Sequence, residues 1–474
     1  MNCRINRRVF LKTATWPATL WWILEHSRSA WSYQANEKMS IALVGAGERG
    51  RGYVNKVARA NHNLAAICDV NQRRLQSFVN LPPSVRKYQD FRKLFDEMDR
   101  RIDAVIVVTT DHNHAAVTAA AMKRGKHVYC EKPLTHDVGE ARALRQIANE
   151  HKKLMTQMGN QGMSTDTFRR VLEQVQQGAV GEVREVHVWF SGFGGSGPRP
   201  RPTDTQPVPD HLDWDLFLGP TPFRPYHPSY VSAWGNWRQF GTGMLGGGGT
   251  HSIHMAFRGL NMGALWDGKG EADAHIRVEA EVSELCPDNY PRWQIVHFDI
   301  PARGPLPPVR INWYNGSDEF FVQRGILERM EKIAGRSLDW GSGWVPKSGS
   351  LLVGSKGIVH TNAHNSKCAL LPERDFPNQG GPPQTIPASG AQPTISDGAA
   401  DQQQFTEWAD ACKGGRVPFS NFDYAAPATE LLLLGNIATL IGEPLEFDPV
   451  ACKITNNAEA DRAIRPVRRE GWSL

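Results

Sequence analysis

The chain has 474 residues, of which 40% are hydrophobic and 22% charged, and its formal net charge is +5 at pH 7. Most of the positive excess lies in residues 1–32, so the rest of the chain carries too little charge for a nucleic-acid surface. Seven cysteines with no Cys-x-x-Cys spacing exclude a dense disulfide framework and argue against zinc. The length is sufficient for two domains or more.

The N-terminal segment has the features of a targeting sequence. Residues 7–12 read Arg-Arg-Val-Phe-Leu-Lys, similar to a twin-arginine export signal, and a mostly apolar stretch follows over residues 13–24. That stretch is shorter than the ~20 residues that cross a bilayer, so no stable membrane span is expected. Residues 1–36 are therefore predicted to be an export signal and linker, with a periplasmic or otherwise exported location. A simple basic, apolar arm is the alternative.

The most informative stretch is residues 40–50, where a short apolar run ends in glycines and a helical pattern follows. The glycines match G-x-G-x-x-G in the strand–turn–helix context that this pattern requires. In such a turn the first glycine permits the bend, the second leaves room for a pyrophosphate, and the third lets the helix approach the strand. The phosphates would lie at the helix N-terminus. The predicted cofactor-binding residues here are Gly45, Gly47, Glu48, Arg49 and Gly50.

A second apolar run, residues 64–68, ends at Asp69, which lies 22 residues after Gly47. A carboxylate about 20 residues beyond the glycines is expected to bind the ribose hydroxyls of a dinucleotide. Because a carboxylate repels a 2′-phosphate, NAD is predicted rather than NADP. Arg73 and Arg74 follow closely and keep NADP open as an alternative.

From residue 39 to about 158 the pattern alternates strand and helix, which predicts a parallel sheet with helices on both faces. The expected strands are 40–44, 64–68, 104–109, 127–130 and 154–158, and the expected helices are 50–60, 71–79, 90–98, 113–124 and 137–151. Ligands of such sheets bind at the carboxyl ends of the strands. Further predicted cofactor-binding residues at these ends are Thr109, Thr110, His114, Glu131, Lys132 and Asn160.

The pattern changes after residue 160. A helix at 165–177 and a strand at 183–190 are followed by a long loop, 192–228, that contains nine prolines. Later segments are typical of an open, largely antiparallel sheet, at 276–285, 293–300, 309–314 and 350–360. A second Pro/Gly-rich loop spans 377–400, and helices are expected at 402–413 and 425–442. The predicted domains are 37–160, which binds the dinucleotide, and 161–474, which binds substrate and mediates oligomerisation.

With these features in place, the chain resembles the Gfo/Idh/MocA family of glucose–fructose oxidoreductase and inositol dehydrogenase relatives. The resemblance is carried by the glycine turn, Asp69, the segment from Asp111 to His114, and Glu131-Lys132-Pro133. Later markers include Gly354-Ser355-Lys356-Gly357 and the stretch from Gly246 to His251. The family implies an α/β fold: an N-terminal Rossmann domain followed by an α+β domain with a large, mostly antiparallel open sheet. It also implies homo-oligomers, dimers or tetramers, and hydride transfer between NAD(P) and a sugar or cyclitol hydroxyl.

Lys132 is the best candidate to stabilise the developing alkoxide and to relay the hydroxyl proton, because burial lowers the pKa of an amine. His251 is the expected second catalytic group, since the ordinary pKa of histidine suits acid–base work. The family pattern places an aspartate four residues before this histidine, but here that position is Gly247. The family's later acid, three residues after the histidine, is His254.

The departure at Gly247 leaves open which residue supplies the missing acid or base, and Tyr226 and His227 are the candidates. His251 and His254 have a spacing that can bind a metal, but no third ligand is evident and no metal is predicted. Trp237 and Arg238 could form a sugar platform or belong to the core. The predicted substrate-binding residues are Lys132, Trp237, Arg238, His251 and His254.

Three functions follow from these residues. The first is an exported NAD(P)-dependent oxidoreductase that acts on a sugar or cyclitol secondary hydroxyl and retains its cofactor tightly. The second is an NAD-dependent glycoside hydrolase, which oxidises a sugar transiently and eliminates the aglycone. The third is a non-catalytic sugar-binding protein.

Overall fold

The computed structural model describes residues 38–270, 274–341, 345–390 and 398–474. The predicted export signal, residues 1–36, lies outside the described residues. The described chain forms one sheet of six strands and one of nine. The expected class, a Rossmann domain followed by an α+β domain with a large, mostly antiparallel sheet, is confirmed.

The first sheet has the order β3-β2-β1-β4-β5-β6, and all its strands are parallel. The order reverses between β1 and β4, the point at which such sheets bind ligands. Its strands are β1 (Ser40–Val44), β2 (Asn63–Cys68), β3 (Arg86–Tyr88), β4 (Ala104–Val107), β5 (His127–Glu131) and β6 (Thr156–Gly159). Its helices are α1 (Glu48–Arg59), α2 (Gln72–Gln76), α3 (Phe91–Met98), α4 (His114–Lys123) and α5 (Val138–Glu150).

The second sheet has the order β13-β12-β11-β7-β10-β9-β8-β14-β15, and only the pair β7–β10 is parallel among its described strands. The strands are β7 (Val183–Ser191), β8 (Ile276–Val282), β9 (Gln294–Ile300), β10 (Val309–Gly316), β11 (Gly349–Gly354), β12 (Ile358–Asn362), β13 (Cys368–Leu371), β14 (Leu445–Asp448) and β15 (Lys453–Ile454). The helices are α6 (Asp166–Gln176), α7 (Trp214–Leu218), α8 (Pro228–Ser232), α9 (Gly243–Gly247), α10 (Gly249–Ser252), α11 (His254–Gly259), α12 (Asp318–Gln323), α13 (Ile326–Ala334), α14 (Gly398–Cys412), α15 (Phe422–Ile441) and α16 (Ala458–Ile464).

The first sheet is buried on both faces because its side chains alternate between two cores. Ile41 and Leu43 of β1 pack with Tyr53 of α1, whereas Ala42 and Val44 pack in the core on the opposite face. Strands covered on both faces are continuously apolar, as β1 and β4 are. Helix α14 packs Trp408 into the same core as α1, so a segment from the C-terminal part of the chain completes the first domain.

Several elements differ from the expectation: strands β13, β14 and β15 and helices α9 to α13 and α16 lie outside every predicted segment, and three further differences have a local cause. The single strand expected at 350–360 is a hairpin, because Gly354 donates to the Gly357 carbonyl in a tight turn between β11 and β12. The sequence does not predict strand β3, because its three residues contain no apolar run. The proline-rich loop contains α7, whose N-cap Asp213 accepts the Leu216 N–H at 3.0 Å.

Helix α15, Phe422–Ile441, is long and apolar enough to cross a membrane by length and composition, yet 83% of its most apolar window is buried inside the protein. Its leucines belong to the main core of the second domain. The helix therefore has the surroundings of a core helix.

A buried ion pair ties α15 to α5 of the first domain. Arg142 donates to both carboxylate oxygens of Glu430, at 3.0 and 2.9 Å, and the Trp266 indole donates to the same carboxylate at 2.7 Å. Glu430 is fully buried, and burial raises its pKa while Arg142 opposes that rise. The arginine thus compensates a carboxylate that no water reaches.

We expect Arg142→Met to destabilise the protein by about 3–5 kcal/mol, since it leaves a buried carboxylate unpaired. Urea denaturation measures the loss. Arg145→Met, on the same helix, is the control, because the partners of Arg145 are Asp267 and Asp423, whose side chains are 39% and 62% exposed. That change should cost about 1 kcal/mol or less. Equal costs for the two variants would contradict the importance of the buried pair.

Candidate active site

The backbone requires glycine at two positions of the turn between β1 and α1. Gly45 has φ +103°, and a Cβ atom there would overlap the Val108 carbonyl. A Cβ at Gly50 would overlap the Gly45 carbonyl, so this glycine lets the helix approach the turn. Gly47 differs, because the nearest atom to an added Cβ is an Arg74 guanidinium nitrogen 3.8 Å away. The protein itself leaves the space at Gly47 open.

Helix α1 presents its N-terminus to that space. The first helical hydrogen bond runs from the Arg51 N–H to the Gly47 carbonyl at 3.0 Å. The N–H groups that precede Arg51 in the first turn therefore have no acceptor within the helix, and they can bind an anion.

Asp69 follows β2 and is held beside the turn. Its carboxylate accepts the Ala46 N–H at 2.8 Å and the Asn71 N–H at 2.9 Å. An ionised carboxylate has about four lone-pair sites, so acceptors remain for two ribose hydroxyls. Arg74 lies 3.5 Å from Asp69 as an ion pair, whereas Arg73 is exposed outside the cleft.

A cleft of about 890 Å³ runs along the carboxyl ends of the first sheet, from beyond β3 to β5. Neighbouring strands lie about 4.8 Å apart, so these four intervals span roughly 19 Å, enough for an extended dinucleotide. Eleven of the twelve predicted cofactor-binding residues line it: Gly45, Gly47, Glu48, Arg49, Gly50, Asp69, Thr109, Thr110, His114, Glu131 and Lys132. Asn160 lies elsewhere. We name this space the main cleft.

Glu131 is an anchor of the main cleft. It accepts from Arg49 Nε and from the Tyr53 hydroxyl, both at 2.6 Å, and Arg49 also donates twice to Asp401 at 2.9 Å. Burial alone would raise the pKa of Glu131, but Arg49 and Lys56 outweigh it and lower that pKa to about 2. The carboxylate is therefore ionised and tied to helix α1.

Lys132 directs its ammonium across the main cleft to the second domain. Its Nζ donates to the Gly247 carbonyl at 2.9 Å, and the Lys132–Pro133 peptide is cis. Burial lowers the pKa of Lys132, and the neighbouring Glu131 and Asp111 carboxylates oppose that shift. A lysine in this setting loses its proton more readily than one in water.

His114 supports the turn that carries Lys132. Its Nδ1 lies 2.7 Å from the Pro133 carbonyl and its Nε2 lies 3.1 Å from the Thr109 carbonyl. Carbonyls only accept, so both ring nitrogens donate and the ring is protonated. Burial would lower the pKa of His114, but Cys130, Asp111 and the Pro133 carbonyl raise it to about 10.

His251 and His254 have different surroundings. His251 lies one turn beyond Gly247, buried, with its ring 4.6 Å from that of His364. Burial, His364 and Lys132 hold its pKa well below the usual value, so the ring is neutral. His254 lies 2.7 Å from Asn160 and 2.8 Å from the Tyr424 hydroxyl, in a buried polar network. Neither histidine is among the residues that line the main cleft.

The other predicted site residues lie away from the main cleft. Tyr226 and Trp237 belong to a cluster of buried rings. The Arg238 guanidinium donates to the main-chain carbonyls of Cys286 and Asn289, at 2.8 and 2.7 Å. His227 caps α8 and borders, with Arg238, a second cavity of about 630 Å³. The structure brings none of these four side chains to Lys132.

Several residues that the sequence does not mark as site residues also line the main cleft. Asp111 accepts the Thr242 N–H at 3.0 Å and its hydroxyl at 2.7 Å, which joins the first domain to the second beside Lys132. Trp234 and Trp472 also line the cleft. Asp111 belongs to a motif that carries the family resemblance, but only the fold shows its partner. Among the described residues, no three His, Cys, Asp or Glu side chains cluster to hold a metal ion.

Two models of one oxidoreductase family match the chain. Residues 39–159 match the description "Oxidoreductase family, NAD-binding Rossmann fold", and residues 195–298 match "Oxidoreductase family, C-terminal alpha/beta domain". The N-terminal domain is therefore an NAD-binding Rossmann domain. These matches support the resemblance to the Gfo/Idh/MocA family that the sequence motifs carry.

The inositol 2-dehydrogenase of Salmonella typhimurium is 24% identical over 152 residues, which are 31% of this chain and 45% of that protein. The glycosyl hydrolase family 109 protein 1 of a Shewanella species is 32% identical over 157 residues, 31% of this chain and 34% of that protein. The chain thus matches less than half the length of these curated relatives.

Among solved structures, an inositol dehydrogenase homolog from Azotobacter vinelandii, complexed with NADH and myo-inositol, has a TM-score of 0.54 and 17% identity. The superposition covers 87% of this chain and 99% of that one. At this identity the likeness is one of fold.

We expect Gly47→Ala to fold normally and to bind NAD at least tenfold more weakly, a loss of about 1.4 kcal/mol. The added methyl group meets no protein atom closer than 3.8 Å, but it fills the space before the helix N-terminus. Titration calorimetry measures the affinity and thermal unfolding measures the fold. Gly52→Ala is the matched control, because a Cβ there has nothing within 4 Å and the residue is outside the main cleft. Unchanged affinity in the first variant would place the pyrophosphate elsewhere.

Proposed function

We propose that this chain, which carries both domains of the Gfo/Idh/MocA oxidoreductase family, oxidises a secondary hydroxyl group of a sugar or cyclitol with NAD. The observation that carries the proposal is the position of Lys132, which shares one cleft with the glycine turn and Asp69. The substrate class is supported by matched relatives named inositol 2-dehydrogenases and by a fold neighbour complexed with myo-inositol.

The residues present fit NAD. Gly47 leaves an open cradle in front of the helix N-terminus, and Asp69 keeps free acceptors for ribose hydroxyls while opposing a 2′-phosphate. When bound, NAD supplies the hydride acceptor. The chain has to bind the substrate, orient the reacting carbon and remove the hydroxyl proton.

Lys132 is proposed to remove that proton. A neutral amine can accept the hydroxyl proton as the hydride leaves the same carbon. Burial shifts Lys132 toward the neutral form, and the Gly247 carbonyl, 2.9 Å from Nζ, accepts a hydrogen bond from the ammonium that results. The Glu131 carboxylate beside it is already paired with Arg49, so it stabilises the ammonium without competing for the proton.

Gly247 gives this site a different shape from the family pattern. A Cβ atom at Gly247 has nothing within 4 Å, so the space where an aspartate side chain would project is open. That volume, next to the Lys132 ammonium, is available to a substituent of the substrate. Asp111, which lines the same cleft and interacts electrostatically with Lys132, is a candidate to replace the charge of the aspartate in the family pattern.

A glycoside hydrolase that uses NAD without net turnover is the second candidate function. It is favoured by the match to a glycosyl hydrolase family 109 protein and by the loss of the aspartate at position 247. In that reaction the same lysine would assist transient oxidation, and elimination of the aglycone would follow. A non-catalytic sugar-binding protein is the third candidate, and the intact Glu131-Lys132-Pro133 segment opposes it.

Export and assembly are also proposed. The twin-arginine-like sequence at residues 7–12 supports a periplasmic or otherwise exported protein that is loaded with NAD before export. The family resemblance supports a homo-oligomer, a dimer or tetramer. Cell fractionation of the full chain tests the first proposal, and light scattering in solution tests the second.

We expect Lys132→Met to lower kcat by about 10²–10⁴-fold, the usual contribution of a general base. For the wild-type enzyme the rate of oxidation should rise with pH, because the neutral amine is the active form. The midpoint should lie below the ordinary lysine value of 10.5, since burial lowers the pKa of Lys132. Steady-state kinetics across pH measure both effects.

The control for this experiment is Lys126→Met, at a lysine near the other end of β5, which is outside the main cleft and pairs with Asp99. Its kcat and pH profile should match the wild type. A Lys132→Met variant with the turnover of an active wild type would refute the proton-transfer role, whereas a wild type without turnover would favour the binding-protein candidate.

An assay of the NADH balance separates the oxidoreductase from the hydrolase. We expect a panel of free cyclitols and sugars to yield NADH in proportion to oxidised product. p-Nitrophenyl glycosides should be left intact. Release of p-nitrophenol without added NAD and without net NADH would instead assign the hydrolase reaction. Lys132→Met is the control for background reaction with both the free sugars and the p-nitrophenyl glycosides.

A further inference from the structure

The end of the main cleft beyond Asp69 is the adenosine end, if NAD binds as proposed. The glycine turn lies near the middle of the sheet edge and Lys132 follows β5, whereas Asp69 follows β2 and Gln89 follows β3 on the opposite side. A dinucleotide with its pyrophosphate at the turn and its reactive ring near Lys132 must place its adenine near β2 and β3. The inference below rests on this orientation.

The wall of this end is built partly by the C-terminal tail, residues 465–474, which follows α16. Trp472 of the tail lines the main cleft together with Phe91 of α3 and Leu216 of α7. Trp472 is 6% exposed, its ring lies 6.0 Å from that of Phe91, and the Arg92 guanidinium lies 4.9 Å from its ring centroid. A flat, electron-rich indole, backed by a cation, therefore borders the cleft at this end.

Two consecutive arginines hold the tail in place. Arg469 donates to the Gly219 carbonyl at 2.8 Å and to the Asp215 carbonyl at 2.7 Å, and it pairs with the Asp215 carboxylate at 2.5 Å. Arg468 lies 3.1 Å from both Asp137 and Glu140 at the start of α5. Because the tail is bound to residues of both domains, its tryptophan has a defined position.

We propose that the C-terminal tail forms the adenine subsite, with the Trp472 indole as an aromatic wall for the purine ring. Aromatic side chains bind nucleobases through their π-faces, whatever the base, and the apolar Leu216 and Phe91 complete a surface that a purine ring desolvates. The tail, from the far end of the chain, would hold the adenine, while the glycine turn holds the pyrophosphate of the same nucleotide. Such a subsite would contribute to the tight retention proposed for the cofactor, without any contact to the reacting end.

The test is the affinity of adenine nucleotides for Trp472 variants of the full chain, measured by titration calorimetry with NAD and with ADP. Trp472→Leu should weaken both ligands by about tenfold or more, and Trp472→Phe should restore most of the affinity. Nicotinamide mononucleotide should bind equally well to all variants. The matched control is Val467→Ala, a change in the same tail at a side chain that is 86% exposed, which should leave every affinity unchanged.

A second measurement uses the unaltered protein. Backbone amides of residues 465–474 should exchange hydrogen more slowly when ADP is added, as should the glycine turn. If Trp472→Leu binds ADP as the wild type does, or if the tail gains no protection while the glycine turn does, the adenine subsite is refuted and the proposed oxidoreductase stands. If the wild type binds neither NAD nor ADP, the proposed function itself fails.

Discussion

The candidate active site depends on one buried carboxylate, Glu131. It accepts hydrogen bonds from Arg49 and Tyr53 of α1, and Arg49 is held in turn by Asp401 of α14. Because Arg49 follows the glycine turn and Glu131 precedes Lys132, this ion pair sets the distance between the phosphate-binding turn and the reactive lysine. An ionised group inside a protein persists only when such partners replace its water, and the low pKa of Glu131 reflects them.

The second domain closes the site through a small number of polar contacts. Lys132 reaches the Gly247 carbonyl, and Asp111 binds Thr242, so two residues of the first domain hold the start of α9 and its end. Helix α14 then returns to the first sheet and the C-terminal tail returns to the main cleft. The nucleotide-binding region is thus completed by residues from the last fifth of the chain, which couples cofactor binding to the fold of both domains.

How far the site could be predicted depends on whether a residue's role is local. Gly45 and Gly50 follow from the glycine spacing between an apolar strand and a helical pattern, because a turn between a strand and a helix demands a positive φ at one position and a close approach at the other. Asn160, Trp237 and Arg238 lie away from the main cleft, since their surroundings are set by distant segments. Asn160 meets His254, and Arg238 meets carbonyls of the 286–289 loop and of α15. Trp472 carried no local signal, because its partners are nearly four hundred residues away in Phe91 and Arg92.

The sequence by itself determined the alternating parallel sheet, the glycine turn, the acid at its second strand and the lysine at its fifth. Each of these is a short-range consequence of side-chain periodicity or of backbone geometry. Only the tertiary structure decided that Glu131 binds Arg49 and that His254 belongs to a packed network. It also decided that the proline-rich loop and the C-terminal tail line the main cleft. Those outcomes depend on which distant residues become the partners of buried polar groups, and the residues next to each group in the sequence do not determine that pairing.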